Sequence, residues 1–395
     1  MPERAIIHMD LDTFFVSVEC LRDSRLKGKP LIIGGTGNRG VVASCSYEAR
    51  LFGIHSAMPA RLARQLCPDA LFISGDMEAY TRFSATITGI IREESPLFEK
   101  ASIDEFYIDV SGMERFFGAF KWARELRRKI INETGLPISM GLSVNKLVSK
   151  VAVGEYKPNG EKQIPAGKEQ DFLAPLSVKK IPMVGEKTTQ FLYDMGIRTV
   201  RTLREMPLKM LQSAFGKNGI VLWNKANAID NSPVVPYTEQ KSISTESTFS
   251  ADTIDVHRLR SILIAMVEKL TFKLRKKKKL TSCITVKIRY SNFDTETKQA
   301  HIPYTSSDQT LIKLALELFD KLYTRRMRLR LVGVRLSNLV HGHYQINLFD
   351  DTEEVIRLYQ AMDRIKARYG SGALVRAIAM DVSRRVRMDM NMSRG

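Results

Sequence analysis

The chain is poor in the residues that staple or anchor proteins. Among 395 residues there are only four cysteines, Cys20, Cys45, Cys67 and Cys283, far apart and without paired spacing. This argues against a zinc site or a disulfide framework and fits a reducing cytoplasm. Cys20 and Cys45 flank apolar residues and are expected in the core. No apolar run is long enough to cross a bilayer. Before Asp10 the N-terminus offers only Ala5-Ile6-Ile7, too short for a signal-peptide core. Acidic residues are also in deficit, 43 against 61 Lys and Arg, a net charge of +18. Such a balance suggests a polyanionic partner, nucleic acid before membrane, although many proteins carry basic faces that are merely solvated.

A hydrophobic content of 44% is that of a globular protein. The length is too great for one ordinary core, so several domains are expected. The charge is uneven. Between Lys241 and Val340 stand 20 Lys and Arg against 9 Asp and Glu, so +11 of the +18 sits in a quarter of the chain. That concentration favours a dedicated polyanion-binding module.

Two acidic runs stand out. Met9-Asp10-Leu11-Asp12-Thr13-Phe14-Phe15 is preceded by Ile6 and Ile7, and Ser102-Ile103-Asp104-Glu105 is followed by Phe106, Tyr107 and Ile108. Each puts carboxylates at the end of an apolar, strand-like stretch. Buried carboxylates need a compensating cation. Two such ends side by side make a hard-oxygen site suited to Mg²⁺. Two metals ~4 Å apart clamp the attacking and leaving oxygens of a phosphoryl transfer. Strand-end aspartates also serve as caps and turn formers, so the pairing carries more weight than either run alone.

Residues 4 to 20 read as a strand running into a helix. Leu31 to Ile33 and Val41 to Ser44 read as short strands about a glycine turn. That turn lacks a following Lys-Ser/Thr pair and is not a P-loop. Ala79 to Glu94 is a helix with Phe83, Ile87, Ile90 and Ile91 on one face. Ile103 to Val110 is a strand, Trp122, Leu126 and Ile130 mark a helix, and Ile138 to Ser143 is a strand. The order suggests an antiparallel sheet backed by helices, with Leu21 to Ser74 inserted. Lys157-Pro158-Asn159-Gly160 is a turn. From Pro165 to Ile229 the chain is mainly helical, and Asn231 to Pro236 reads as a linker. A second mixed unit starts at Lys241. There Ile284, Val286, Ile288 and Tyr290 alternate with Thr285, Lys287 and Arg289, and Val332, Val334 and Leu336 with Gly333, Arg335 and Ser337. One sheet face is therefore buried, under helices Arg258–Lys279 and Leu311–Tyr323, and the other is polar and basic. An open basic face suits a phosphate backbone; an ordinary solvated face has the same pattern.

Tyr47, Arg50 and Lys157 supply groups that can meet a triphosphate, since cations neutralise charge in phosphoryl transfer. Tyr-x-x-Arg alone more often marks a surface pair; its place between the acidic runs adds force. Ile181-Pro182-Met183-Val184-Gly185-Glu186-Lys187-Thr188, followed by Leu192, Met195, Gly196 and Ile197, has the form of a helix–hairpin–helix. Its exposed amides and Gly185 can take a phosphate, with Lys187 beside them; a plain helix–helix turn is the alternative. Phe215 to Gly219 is a weaker second copy. The run Lys273 to Lys279 ends a helix, where cations suit the dipole and can also contact DNA.

Taken in order, the motifs resemble those of the Y-family DNA polymerases, of the bacterial DNA polymerase IV kind. They are Asp10 to Phe15, Ser46-Tyr47-Glu48-Ala49-Arg50, Ser102 to Glu105, Lys157 to Gly160, the Pro-x-x-Gly-x-Lys-Thr hairpin and Lys241-Ser242-Ile243, spread over about residues 4 to 345. The resemblance implies an α+β right hand. The palm, ferredoxin-like, would be residues 1–20 and 75–165, and the small fingers 21–74. A helical thumb with the hairpin would span 166–232, a linker 233–240, an α+β little finger 241–340 and a C-terminal tail 341–395. By that resemblance Asp10, Asp104 and Glu105, with the Leu11 carbonyl, hold two Mg²⁺. Phe14, Phe15, Tyr47, Arg50 and Lys157 bind the nucleotide, with Phe15 the steric gate against ribose. Gly185, Lys187, Lys241, Lys287, Arg289 and Arg335 contact DNA. The chain departs from the family at Met183, where Pro-Gly-Ile-Gly is frequent, which suggests a tighter or shifted turn. It departs again at Ala228, where a glycine commonly precedes the Ile-Asp pair.

The activity implied is template-directed extension of a primer on primer–template DNA with deoxynucleoside triphosphates. Low fidelity and lesion bypass are expected, because Ser44, Ser56 and Ala57 leave the nascent pair roomy. No second acidic cluster suggests proofreading, and a cytoplasmic monomer is expected. Gln345-Ile346-Asn347-Leu348-Phe349 resembles the peptides by which bacterial polymerases dock on the sliding clamp, with Gln345 hydrogen-bonding and Leu348 and Phe349 entering an apolar pocket. Leu348 and Phe349 packing on a following helix, Glu353 to Arg368, is the alternative. Two rival functions remain, a nucleotidyl cyclase on a similar palm and a non-catalytic DNA-binding scaffold.

Overall fold

A computed structural model describes residues 4–113, 118–342, 353–370 and 372–380. Two compact units emerge, Met1–Gly35 with Val41–Thr238, and Glu239–Gly395 with Thr36–Gly40.

In the first unit β1 (Ile6–Leu11) runs into α1 (Phe14–Arg22). An insertion follows: β2 (Leu31–Gly34), β3 (Val42–Cys45), the helical turn α2 (Tyr47–Arg50), α3 (Ala60–Leu66) and β4 (Leu71–Ile73). These strands make their own three-stranded sheet over a small core that includes Ile32, Cys45 and Cys67. The chain returns through α4 (Met77–Glu94), β5 (Phe98–Lys100), β6 (Glu105–Asp109), α5 (Ala119–Thr134), β7 (Ile138–Ser143), α6 (Lys146–Tyr156) and β8 (Glu161–Gln163). The five-stranded sheet has the order β5-β6-β1-β7-β8. β1 pairs antiparallel with β6 and β7, while β8 joins β7 in parallel, so the sheet is not wholly antiparallel as the sequence pattern suggested.

Strand alternation in β1 explains the layering. Ile7, Met9 and Leu11 enter a core with Phe14, Ile87 and Leu126 from α1, α4 and α5. Each such side chain, fully buried, stabilises by roughly 1.5–3 kcal/mol. His8 and Asp10 therefore lie on the opposite face. The Ser102 hydroxyl accepts the amides of Asp104 (3.2 Å) and Glu105 (3.0 Å). This turn delays β6, so the expected strand from Ile103 begins only at Glu105 and Asp104 stands in the bend before it.

Beyond β8 come α7 (Glu169–Leu173), α8 (Glu186–Asp194), α9 (Val200–Glu205), α10 (Leu208–Phe215) and α11 (Lys217–Ala226). Leu147, Val148 and Val151 of α6 share their core with Leu173, Leu192 and Leu203. The hairpin turn is formed ahead of α8 with Met183 in it. Met183 takes a left-handed backbone, φ 75°, and Ala228 does likewise at φ 59°, so both non-glycine residues keep the conformation that glycine adopts freely. The start of the expected linker is fastened down. Val234 is buried beside Ile6 and Tyr107, and the Val235 amide donates to Glu99 at 2.7 Å.

The second unit holds β9 (Ser242–Thr253), α12 (Val256–Lys276), β10 (Lys279–Tyr290), β11 (Thr295–Thr305), α13 (Asp308–Leu322), β12 (Leu329–His341) and α14 (Glu353–Tyr369). Its sheet, in the order β11-β10-β12-β9, is antiparallel throughout. Leu263, Leu270 and Phe319 from α12 and α13 cover Ile284, Val286 and Val334. The helix expected to reach Lys279 stops at Lys276, because Lys278 turns left-handed at φ 52° and Lys279 opens β10. Two members of the basic run are internal. Arg275 pairs with Asp308 (2.6 Å) and with Asp363 of α14 (2.7 Å), and the buried Lys279 pairs with Glu239 at 3.2 Å. Residues Glu353–Tyr369, counted with the tail, thus form a helix joined to this unit. Gln345, Leu348 and Phe349 lie outside the described residues.

Candidate active site

The site is built where β1 ends. Asp10 lies opposite Glu105 in the ladder, and the Leu11 amide donates to the Asp104 carbonyl at 3.1 Å. One end of the sheet therefore carries Asp10, Asp104, Glu105 and the Leu11 carbonyl, all half-buried except Leu11, which is buried. Every donor is oxygen, the chemistry of a hard divalent cation, and a carboxylate cluster at a half-buried edge calls for one.

Each carboxylate is engaged by the chain itself. Lys157 places its ammonium 2.5 Å from Asp10 Oδ1 and 3.4 Å from the Leu11 carbonyl. Lys150 donates to both Glu105 oxygens, at 2.8 and 2.7 Å. The Ser102 hydroxyl donates to Asp104 Oδ1 at 2.5 Å. Among the described residues, no three His, Cys, Asp or Glu side chains are gathered closely enough to hold an ion as they stand. Burial pushes the Asp10 carboxyl up to about 6, opposed by Lys157. His8 is buried and its Nε2 lies 4.0 Å from Glu105. Burial first, then Lys150 and Lys157, holds its imidazole well below the usual range, so it is neutral.

Asp12 serves a different purpose. Only 1% exposed, it accepts the Ser139 hydroxyl at 2.9 Å and the Asn159 amide at 2.7 Å. It thereby fixes the Lys157–Gly160 turn against β7. A Cβ on Gly160 would meet the Tyr156 carbonyl oxygen at 1.7 Å, so only glycine fits there.

Ser46 caps the turn that carries Tyr47 and Arg50, accepting the Ala49 amide, and bonds to Lys29 and Leu31 beside β2. Arg50 is exposed and lies over the Tyr47 ring at 5.0 Å. The Tyr47 hydroxyl is buried without a partner, and burial, then Asp12, pushes its phenol up to about 12. Tyr47, Asp12 and Pro158 line a cavity of about 260 Å³. Phe15 is half-buried and stacked on Tyr80 at 4.4 Å, and the Tyr80 hydroxyl donates to Glu19 at 2.7 Å. Phe14 is only 2% exposed, so its side chain belongs to the core and any contact it makes with a nucleotide goes through its backbone.

Gly185 and Lys187 are exposed at the start of α8, and a Cβ on Gly185 would meet nothing within 4 Å. In the second unit Lys241 and Arg335 are exposed, whereas Lys287 pairs with Glu246 at 3.0 Å and Arg289 donates to Thr295 at 2.8 Å. Sequence reading quoted Asp12 within the acidic run without giving it a role, and passed over Lys150, His8 and Tyr80.

Comparison with known proteins points to one family. The model of the impB/mucB/samB family matches residues 9–154, and that of its C-terminal domain residues 240–348. The model described as DNA polymerase-iota, thumb domain, matches residues 179–230. DNA polymerase IV of Dehalococcoides mccartyi strain BAV1 is 39% identical over 374 residues, covering 94% of this chain and 96% of the relative. DNA polymerase IV of Desulfatibacillum aliphaticivorans is 36% identical, covering 97% and 99%. Among solved structures, a Y-family DNA polymerase chimera, Dbh-Dpo4(243-245)-Dbh, has a TM-score of 0.75 at 27% identity, over 86% of this chain and all of that one. An insertion ternary complex of Dbh DNA polymerase has a TM-score of 0.61 at the same identity and coverage. A cyclase or a non-catalytic scaffold finds no support among these relatives. With its ordered motifs, its acidic sheet end and these likenesses, the chain belongs to the Y family of translesion DNA polymerases, in the branch of bacterial DNA polymerase IV.

Proposed function

We propose that Asp10, Asp104 and Glu105, with the Leu11 carbonyl, hold two Mg²⁺ ions and that the sheet end they share is the catalytic centre of primer extension. The observation that carries this is the register of β1 against β6, which sets Asp10 opposite Glu105 with Asp104 bonded to Leu11. Bound there, Mg²⁺ supplies neutralisation of the charge that develops on the phosphoryl oxygens. The primer 3′-hydroxyl attacks the α-phosphate of a deoxynucleoside triphosphate and pyrophosphate leaves. Tyr47, Arg50 and Lys157 bind the triphosphate, and Phe15 lies beneath the sugar. The exposed Ser56 and Ala57, with Ser44, leave room around the nascent pair, which suits damaged templates. Gly185, Lys187, Lys241, Lys287, Arg289 and Arg335 take the phosphates of primer–template DNA, as the ternary complex of a structural relative encourages. Docking of Gln345–Phe349 on a sliding clamp rests on the sequence alone. No helix among the described residues is long and apolar enough to cross a membrane. The four free cysteines suit the reducing cytoplasm in which we place the protein.

Asp104→Asn tests the centre. Single-turnover incorporation should fall by at least about a thousandfold, near 4 kcal/mol of barrier, while affinity for primer–template stays within about threefold, since DNA is held by phosphate contacts elsewhere. Incorporation within tenfold of the unmodified protein would remove Asp104 from the catalytic set.

A further inference from the structure

We propose that Lys157 is a displaceable counter-ion whose ammonium holds the metal position between Asp10 and Leu11 until a nucleotide draws it away, so that metal entry is conditional on nucleotide. The inference rests on the reading that Asp10 and the Leu11 carbonyl are metal ligands and that Lys157 binds the triphosphate. Its basis is a conflict of occupancy. The Lys157 ammonium is 2.5 Å from Asp10 Oδ1 and 3.4 Å from the Leu11 carbonyl, on two of the oxygens assigned to the metal. Asp12 Oδ1 lies a further step away, at 3.7 Å. A lysine ammonium and a divalent cation cannot share those oxygens, because like charges at that spacing in a half-buried site repel strongly.

The geometry also says what releases the lysine. Lys157 begins a turn whose next residues are fixed. The Asn159 amide donates to Asp12 at 2.7 Å, and Gly160 donates to the Ser139 hydroxyl at 3.1 Å. The backbone therefore stays while the four-carbon side chain swings. An ammonium leaving a half-buried carboxylate needs another anion, and the other carboxylates are already served: Glu105 by Lys150 and Asp104 by Ser102. Tyr47, assigned with Lys157 to the triphosphate, shares with Asp12 and Pro158 the cavity beside this turn. The incoming triphosphate is the partner that completes the exchange: it takes the ammonium and brings the metal to the oxygens that the ammonium vacates. Without nucleotide, the protein guards its own carboxylates and holds metal there weakly. Lys157 is thus a positioning residue for the metal as well as a nucleotide contact.

The test is direct Mn²⁺ binding to the full-length protein without DNA, followed by the spin resonance of free Mn²⁺, with and without a non-hydrolysable deoxynucleoside triphosphate analogue. Asp104→Asn serves as the reference for the Mn²⁺ that belongs to the site. Without nucleotide, Lys157→Met should bind that Mn²⁺ about tenfold more tightly than the unmodified protein, the removal of one close competing charge. Lys157→Arg, which keeps the cation, should bind it as weakly as the unmodified protein. The analogue should tighten Mn²⁺ binding in the unmodified protein and add much less in Lys157→Met. Should Lys157→Met fail to fold, as judged by its melting transition, Lys157→Gln takes its place. Equal or weaker Mn²⁺ binding by the neutral variant without nucleotide overturns the proposal, as does tighter binding by Lys157→Arg. The polymerase reading fails separately, if Asp104→Asn binds Mn²⁺ and extends primers like the unmodified protein.

Discussion

At the scale of single residues, the ring proposed to lie beneath the sugar offers the sharpest expectation. Phe15 is held by stacking on Tyr80, itself buried and bonded to Glu19, so the ring has little freedom to move aside for a 2′-hydroxyl. Phe15→Ala removes the bulk and leaves Tyr80 in place. The preference for deoxy- over ribonucleotides, measured as a ratio of kcat/KM, should drop by at least about tenfold, or roughly 1.4 kcal/mol of discrimination. An unchanged ratio would make Phe15 a core residue only. That Asp10, Asp104 and Glu105 come together at one sheet end was legible in the sequence, because carboxylates at the ends of apolar strands demand compensation wherever they occur; Phe15 was singled out only by the family resemblance. Lys150 and His8 were not legible, since nothing local marks a lysine as the partner of a carboxylate 45 positions away. Phe14 shows the converse limit. Adjacent residues at the start of α1 diverge, one ring fully in the core and the other half-buried against Tyr80, and only helix position decides which.

Elements were read best where a pattern is long enough to show its period. α4, α5, β7 and β10 repeat their apolar positions over several turns or pleats, and the structure places them as expected. β5 and β8 have three residues each, too few for alternation to register, and β8 is what makes one edge of the sheet parallel. The end of α12 was misplaced because Lys273–Lys279 is uniform in charge, and the left-handed step at Lys278 leaves no mark in such a run. The hairpin supplies the prediction at this scale. Met183 is 86% exposed and sits at φ 75°, so its side chain contributes little packing while its backbone is strained. Met183→Gly relieves a left-handed strain of roughly 1–2 kcal/mol and adds unfolded-state entropy worth roughly 0.5–1 kcal/mol. The net expectation is a gain of about 0.5–1 kcal/mol in unfolding free energy, read from denaturant melts at constant slope. A loss of stability would mean that the methionine packs on a neighbour in solution.

For the whole molecule the charge of the second unit was legible and its division was not. The sequence shows +11 between Lys241 and Val340, but not which cations face outward. The structure engages Arg275 with Asp308 and Asp363 and Lys279 with Glu239, pairs that hold α14 and the start of β10 in place. A buried arginine of this kind, if truncated, leaves its carboxylates unpaired and destabilises by roughly 3–5 kcal/mol. The basic run therefore includes residues whose loss would weaken DNA binding only by loosening the unit. Lys287, Arg289 and Arg335 differ, because strand alternation in β10 and β12 puts them on the sheet face away from α12 and α13. Replacing all three by Ala in the full-length chain should leave melting nearly unchanged and flatten the dependence of log affinity on log salt. Every duplex phosphate that is no longer neutralised lowers that slope by about 0.9, so three give a change of about 2 to 3. Lys287 already has Glu246 as a partner, and its removal leaves that carboxylate facing the DNA, which deepens the loss of affinity at low salt. Titrations of primer–template from low to moderate salt measure both quantities. A slope equal to that of the unmodified protein would move the DNA-tracking role off this face and onto the hairpin around Gly185 and Lys187.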